Sequence, residues 1–278
     1  MDNLDSILVP IDFSDQSLSA LRFAAALACE FNSKLILIHC ITSEDDHAGL
    51  SMEEFKQRRV DQLNEWAYPF KRSSYSEEKQ ESCLVQIDCY VSQGKVLEEI
   101  INTSKEHSVS LIIMGRGAHG SIEKIIGTIS SAVILKAACP VLLISKFDRP
   151  PDKFQNILYA SDTFSVTKPY LAIALKLGKW LKSKLHFVHV KEGEDENERL
   201  PEKIVDVLFV DNAPVVPFTI KTVAGDSVFD ELEKYIQEHQ IDLIILVPGQ
   251  QNVFDTLIGK GISQHFSNSS NVPSLFLK

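Results

Sequence analysis

The stretch LIIMGRGAHGSIEKIIGTISSAVILKAACPVLLIS, residues 111–145, holds three kinds of signal in one run. A short apolar run leads into Gly115, Gly117 and Gly120, and Gly127-Thr128 follows. Then come an apolar pattern at helical spacing and a second apolar run. The reading is strand, glycine-rich loop, helix, strand. Such a loop has two explanations, a bound phosphate or a tight turn. Glycine lets backbone N–H groups approach a phosphate without a Cβ in the way. A helix opening at Gly127-Thr128 offers free N–H donors and partial positive charge, with Thr128, Ser130 and Ser131 adding hydroxyls. The plainer explanation is a turn followed by a threonine cap. No G-K-[ST] is present, so the loop is not a Walker A motif.

Outward from this stretch, strand and helix patterns alternate. SILVPID is an apolar run of the kind expected for a strand buried on both faces. Ser14 is placed to cap a helix with Leu18, Leu21, Ala25 and Ala28 at helical spacing. KLILIHCI is a second buried strand. Ser51 and Glu54 form a capping box before a helix showing Met52, Phe55, Leu63, Trp66 and Phe70 on one side. CLVQIDCYVSQG reads as a third strand, KVLEEIINTSKEH as a helix, SLIIMG as a fourth strand, TISSAVILKAA as a helix and CPVLLIS as a fifth strand. Strands separated by helices imply parallel pairing through right-handed crossovers. The fold class is α/β with an open, doubly wound sheet.

The chain also repeats itself. SILVPIDFSDQS (6–17) parallels NILYASDTFSVT (156–167), with Asp12 matching Asp162. SKLILIHCI (33–41) parallels SKLHFVHVK (183–191), with His39 matching His189. HSVSLIIMGRG (107–117) parallels HQIDLIILVPG (239–249), and Gly117 and Gly127 are matched by Gly249 and Gly259. Matches in one order along the chain predict two copies of one domain, residues 1–146 and 154–278. SKFDRPPDKFQ (145–155) reads as the linker.

The 278 residues carry a formal net charge of -10 and a sequence pI near 5.3. That balance argues against non-specific binding to nucleic acid or anionic membranes. No apolar run approaches the roughly 20 residues that span a bilayer. The start, MDNLDSILVPIDFSD, lacks the basic and apolar segments of a secretory signal. The five cysteines include no C-x-x-C pair, which fits reduced thiols and a cytoplasmic location.

Ligands of doubly wound sheets bind outside the carboxyl ends of the strands, at the reversal of strand order. Three segments converge there: Pro10 to Ser14, Cys40 to Thr42, and Gly115 to Thr128. Asp12 at the end of the first strand is suited to accept hydrogen bonds from a ribose or an adenine amino group; the other reading makes it a helix cap. His39 and His189, inside apolar runs, read as satisfied core residues rather than catalysts. His119 in the glycine loop reads equally as a phosphate contact or an exposed side chain. No nucleophile–base pair and no metal-ligand spacing is present.

ILVPIDFSD, LILIHC, LIIMG and the glycine-rich segment through CPVLLI together resemble the universal stress protein family, and the whole chain resembles a tandem of two such domains. The resemblance implies two five-stranded parallel sheets of Rossmann-like type. It implies pairing of the last strands, PVLLIS (140–145) with PSLFLK (273–278), as an internal pseudo-dimer, with a homodimer of whole chains also open. The family's ATP-binding members carry G-x2-G-x9-G-[ST] after the fourth strand. Here Gly117-x9-Gly127-Thr128 matches the second part, and Gly115-Arg116-Gly117 is one residue short of the first. Carried over, the resemblance gives Pro10 and Asp12 to the nucleoside, backbone near Cys40 to the adenine, and Gly115, Gly117, Gly127, Thr128 and Ser130 to the phosphates. The implied ligand is ATP, ADP or AMP, with or without magnesium, and at most slow hydrolysis. In the second copy Val247-Pro248 replaces Gly115-Arg116 and Lys260 replaces Thr128, so that site is expected to be degenerate. The competing expectation is a stress module that binds a protein partner without nucleotide. An ATP-pyrophosphatase or adenylyl-transfer enzyme ranks last, because PIDFSDQS stands where such enzymes carry an S-G-G-x-D-S-like loop.

Overall fold

The computed structural model describes residues 4–43, 45, 49–73, 83–116, 128–144, 154–161, 168–191, 216–224, 228–246 and 272–278. They fall into two compact units, one up to Ile144 and one from Phe154 onward.

The first unit contains β1 (Ser6–Pro10), α1 (Asp15–Phe31), β2 (Lys34–Ile41), α2 (Met52–Ala67), β3 (Ile87–Gln93), α3 (Val96–Glu106), β4 (Leu111–Gly115), α4 (Thr128–Lys136) and β5 (Val141–Ile144). Its sheet runs β3-β2-β1-β4-β5, and every pair is parallel. Ile7 lies opposite Leu35 on one side and Leu111 on the other. β1 is therefore central, and Ile7, Leu8 and Val9 are fully buried. That is why these strands read as unbroken apolar runs. Strand order reverses between β1 and β4, so the crevice opens beyond Pro10 and Gly115.

Local signals set the helix ends. Ser14 caps α1, its side chain accepting from the Ser17 N–H at 3.2 Å. Asn32 ends the helix at φ 53, a left-handed position that asparagine tolerates. Ser51 and Glu54 form the expected capping box of α2. Phe55 and Leu63 are buried, and Trp66 and Phe70 half-buried. Met52 departs from the expected stripe and is exposed. The third strand also departs from expectation. Cys83–Leu84 pairs antiparallel with Arg72–Ser73, and the main-sheet strand begins only at Ile87. Between them Val85 turns inward and is buried, its N–H donating to the Lys71 carbonyl at 3.3 Å.

The second unit contains β6 (Asn156–Ser161), α5 (Lys168–Leu181), β7 (Lys184–Lys191), β8 (Phe218–Ala224), α6 (Val228–Glu238), β9 (Leu243–Leu246) and β10 (Ser274–Phe276). Its order, β8-β7-β6-β9-β10, repeats that of the first unit, again all parallel. Tyr159, Phe187 and Phe276 fill its core. Phe154 is buried too, and its carbonyl accepts from the Ser183 hydroxyl at 2.7 Å, so the expected linker has already joined the second core at this residue. Both units are thus open, five-stranded, parallel α/β sheets. Among the described residues, no helix is long and apolar enough to cross a membrane.

Candidate functional site

The first unit brings Pro10, Asp12, Cys40 and Gly115 to the same end of its sheet, at the carboxyl ends of β1, β2 and β4. β1 pairs with β2 only as far as Pro10 opposite Ile38, and one further bond joins the Ile11 N–H to the Ile38 carbonyl at 2.8 Å. β2 runs on to Ile41. In a parallel ladder, alternate residues turn both backbone groups to the same side. The Ile38 carbonyl faces β1, whereas the Ile41 carbonyl faces β3 and accepts from Gly94. Cys40, two residues past Ile38, therefore turns its N–H and C=O towards the β1 side, where β1 has left the sheet. Its side chain lies on the opposite face from that of His39. The Cys40 thiol accepts from the Ser92 hydroxyl at 3.4 Å, and burial raises its pKa.

Asp12 begins the turn that leaves the sheet, and it is exposed. It does not cap α1; Ser14 does. The Asp12 carboxylate accepts from the Ser14 N–H at 3.0 Å and from the Ser14 hydroxyl at 2.5 Å. Partial burial pushes this carboxyl up, but the Ser14 and Ser17 hydrogen bonds outweigh that and hold it below the ordinary range. It is an anion at neutral pH, with its outer face at the mouth of the crevice.

Gly115 has a packing reason to be glycine. A Cβ there would lie 2.5 Å from the Gln16 carbonyl carbon and 2.7 Å from the Ser17 nitrogen. The end of β4 thus rests directly on the first turn of α1. Arg116, which the sequence left without a role, is buried at this same strand end. Burial lowers its guanidinium to about 10, so it stays a cation at neutral pH. Only its place inside a glycine pair could have singled it out.

α4 is described over Thr128–Lys136. Ser130 sits in its first turn and is 4% exposed, so its hydroxyl is not presented to solvent. Gly117, Gly120, His119, Gly127, Asp162, Gly249, Gly259 and Lys260 lie outside the described residues.

The histidine of β2 is only half satisfied. His39 is buried, and its Nδ1 is 2.8 Å from the Ile11 carbonyl. A carbonyl only accepts, so Nδ1 carries the proton and Nε2 is a lone pair. That Nε2 is buried without a hydrogen-bond partner. Burial, reinforced by the Arg59 charge, lowers the pKa of this imidazole. The Phe13 ring lies 4.7 Å from His39, with Trp66 edge-on to Phe13 at 5.2 Å. The Arg59 guanidinium stands over Phe55 at 4.8 Å and Phe13 at 5.6 Å, and reaches Asp45 at 3.9 Å.

Comparison with known proteins agrees with this architecture. Residues 3–145 match the universal stress protein family. Universal stress protein YxiE of Bacillus subtilis is 31% identical over 147 residues, which is 50% of this chain and 98% of that protein. The crystal structure of a universal stress protein from Archaeoglobus fulgidus aligns with 99% of this chain and 97% of its own, at TM-score 0.72 and 18% identity. A universal stress protein solved in complex with cAMP aligns with 52% of this chain and 99% of its own, at TM-score 0.39 and 17% identity. With the family's domain in residues 3–145 and the same strand order repeated after it, the chain belongs to the universal stress protein family.

Proposed function

We propose that the first unit binds an adenine nucleotide, ATP before ADP or AMP, and that the chain serves a cytoplasmic stress response through that ligand. The observation that carries this reading is the mismatch in length between β1 and β2. It puts one donor and one acceptor, the Cys40 N–H and C=O, on the β1 side of β2 beyond Pro10, the last residue of β1. An adenine edge offers one acceptor and one donor side by side, which fits that pair. Asp12 has the charge and exposure to accept from ribose hydroxyls. The N-terminus of α4 at Thr128, preceded by Gly127 and beyond it Gly117 and Gly115, supplies donors for the phosphates. Magnesium, in this reading, arrives on the phosphates. Slow hydrolysis at most is expected, since among the described residues no base is placed to activate water. The second unit, whose sequence carries Pro248 and Lys260 in place of Arg116 and Thr128, binds nucleotide weakly or not at all.

Calorimetric titration of the full chain with ATP, ADP, AMP and GTP tests the reading. Micromolar binding of ATP near one per chain, weaker GTP binding, and loss in Asp12→Ala are expected. No heat and no uptake at millimolar ATP with magnesium would overturn it. That result would favour the partner-binding module, for which the shortened Gly115-Arg116-Gly117 segment already speaks.

A further inference from the structure

Asp12 stands between Ile11, held from β2, and Phe13, held from β2 and α2. Ile11 precedes it. The Ile11 N–H donates to Ile38, and its carbonyl accepts from His39 Nδ1, each at 2.8 Å. β1 ends at Pro10, and the carbonyl of the next residue is served by the imidazole. Phe13 follows at φ 61, a left-handed conformation uncommon for a bulky side chain. Its ring is held there by His39, by the edge of Trp66 and by the Arg59 guanidinium.

This arrangement has a cost that packing alone would not justify. A leucine at position 39 would fill similar space without burying a lone pair, whereas His39 leaves Nε2 unpartnered. What the histidine adds is the Nδ1–H to Ile11. We propose that His39, through the Ile11 carbonyl and the Phe13 ring, is a positioning residue that fixes Asp12 for its ligand. The ligand part of this inference rests on the nucleotide reading above; the fixing of Asp12 does not. With Ile11 and Phe13 both anchored, the chain turns at Asp12 in one way, which keeps its carboxylate on the Ser14 donors and its outer face on the crevice.

Four full-length proteins test it: the unaltered chain, His39→Leu, His39→Gln and His39→Asn. The asparagine amide reaches the place of Nδ1 and can still donate to Ile11; glutamine reaches the place of Nε2 and cannot; leucine has no donor. Two readouts are taken on each folded protein. Carboxyl NMR follows the titration of Asp12, and calorimetry follows binding of ATP with magnesium. In the unaltered chain and His39→Asn, Asp12 titrates below the ordinary carboxylate range. In His39→Gln and His39→Leu it moves back up towards that range, and ATP binds at least tenfold more weakly. Should His39→Leu fail to fold, the glutamine and asparagine variants, both polar at this position, still give the comparison. Asp12 titrating alike in all folded variants would overturn the positioning role. Asp12 following the donor while no protein takes up ATP would uphold it and overturn the nucleotide reading alone.

Discussion

Lowering the pH from 8 to 5 should unfold the second unit more readily, and His186 should carry the effect. His186 is 2% exposed on β7, between Leu158 of β6 and Thr219 of β8. Asn156 Nδ2 faces the Gln240 carbonyl, so its Oδ1 faces the ring and accepts from His186 Nε2–H at 3.2 Å. Nδ1 is then the acceptor, taking the Tyr235 hydroxyl at 2.9 Å. The neutral ring is fully satisfied. The groups around it discourage a second proton: Lys184 on its own strand, and His239 from the end of α6 with its ring 5.3 Å away. Lys221 adds a further cation 5.3 Å from the Tyr235 ring. Burial first, then Lys184 and His239, lower the His186 pKa from 6.5 to about 4. The folded value lies below the unfolded one, so this stability is fully present above pH 6.5. It is lost as pH falls towards 4. Linkage gives a loss of about 2 kcal/mol between pH 8 and pH 5, and solvent screening reduces that to about 1–2 kcal/mol. For a unit of this size the melting midpoint should fall by about 4–8 °C. The assay is thermal unfolding followed by Trp180 fluorescence in a Trp66→Phe background, since these are the chain's two tryptophans and Trp180 lies on α5. The His186→Gln variant should be less stable at pH 8 but should lose less on acidification. Parallel curves of midpoint against pH for the two proteins would refute the reasoning.

Gly115→Ala should lower stability by about 1–3 kcal/mol in urea unfolding, because its Cβ meets the backbone of α1 rather than a flexible side chain. Ser14→Ala removes both the α1 cap and the hydroxyl donor to Asp12, leaving the backbone N–H; a loss of about 1 kcal/mol is expected, with Asp12 titrating at a higher pH by carboxyl NMR. Tyr159→Phe removes a buried hydroxyl without a hydrogen-bond partner and should stabilise the second unit by about 1 kcal/mol, read from the Trp180 transition.

The strands were legible because a parallel strand covered on both faces has no polar side to interrupt it. Ile7–Val9, Leu35–Ile38, Leu111–Ile113 and Val141–Ile144 are all buried, and each is an apolar run. The caps at Ser14 and Ser51 were legible because they are local. What escaped the sequence depends on contacts distant along the chain. Val85 breaks the expected third strand through a bond to Lys71. Met52 fits the helical stripe of α2 but lies at its first residue, where little packs over it. Gly115 looked like a phosphate glycine, while the reason visible in the fold is the approach of α1, more than 90 residues away in sequence. His39 was read as a satisfied core residue, and only its surroundings show one nitrogen bonded and the other left over. The positions of Pro10, Asp12 and Cys40 followed from the strand pattern. That Cys40 offers its backbone depends on where β1 stops, which no spacing in the sequence reveals.

The central claim is one nucleotide site, in the first unit. The most direct test is to denature freshly purified full-length chain and chromatograph the small molecules released, alongside Asp12→Ala and Gly127→Val. The account predicts adenine nucleotide approaching one equivalent per chain, lost in both variants. Nucleotide retained in both variants would contradict it, and so would two equivalents per chain, which would place a working site in the second unit as well.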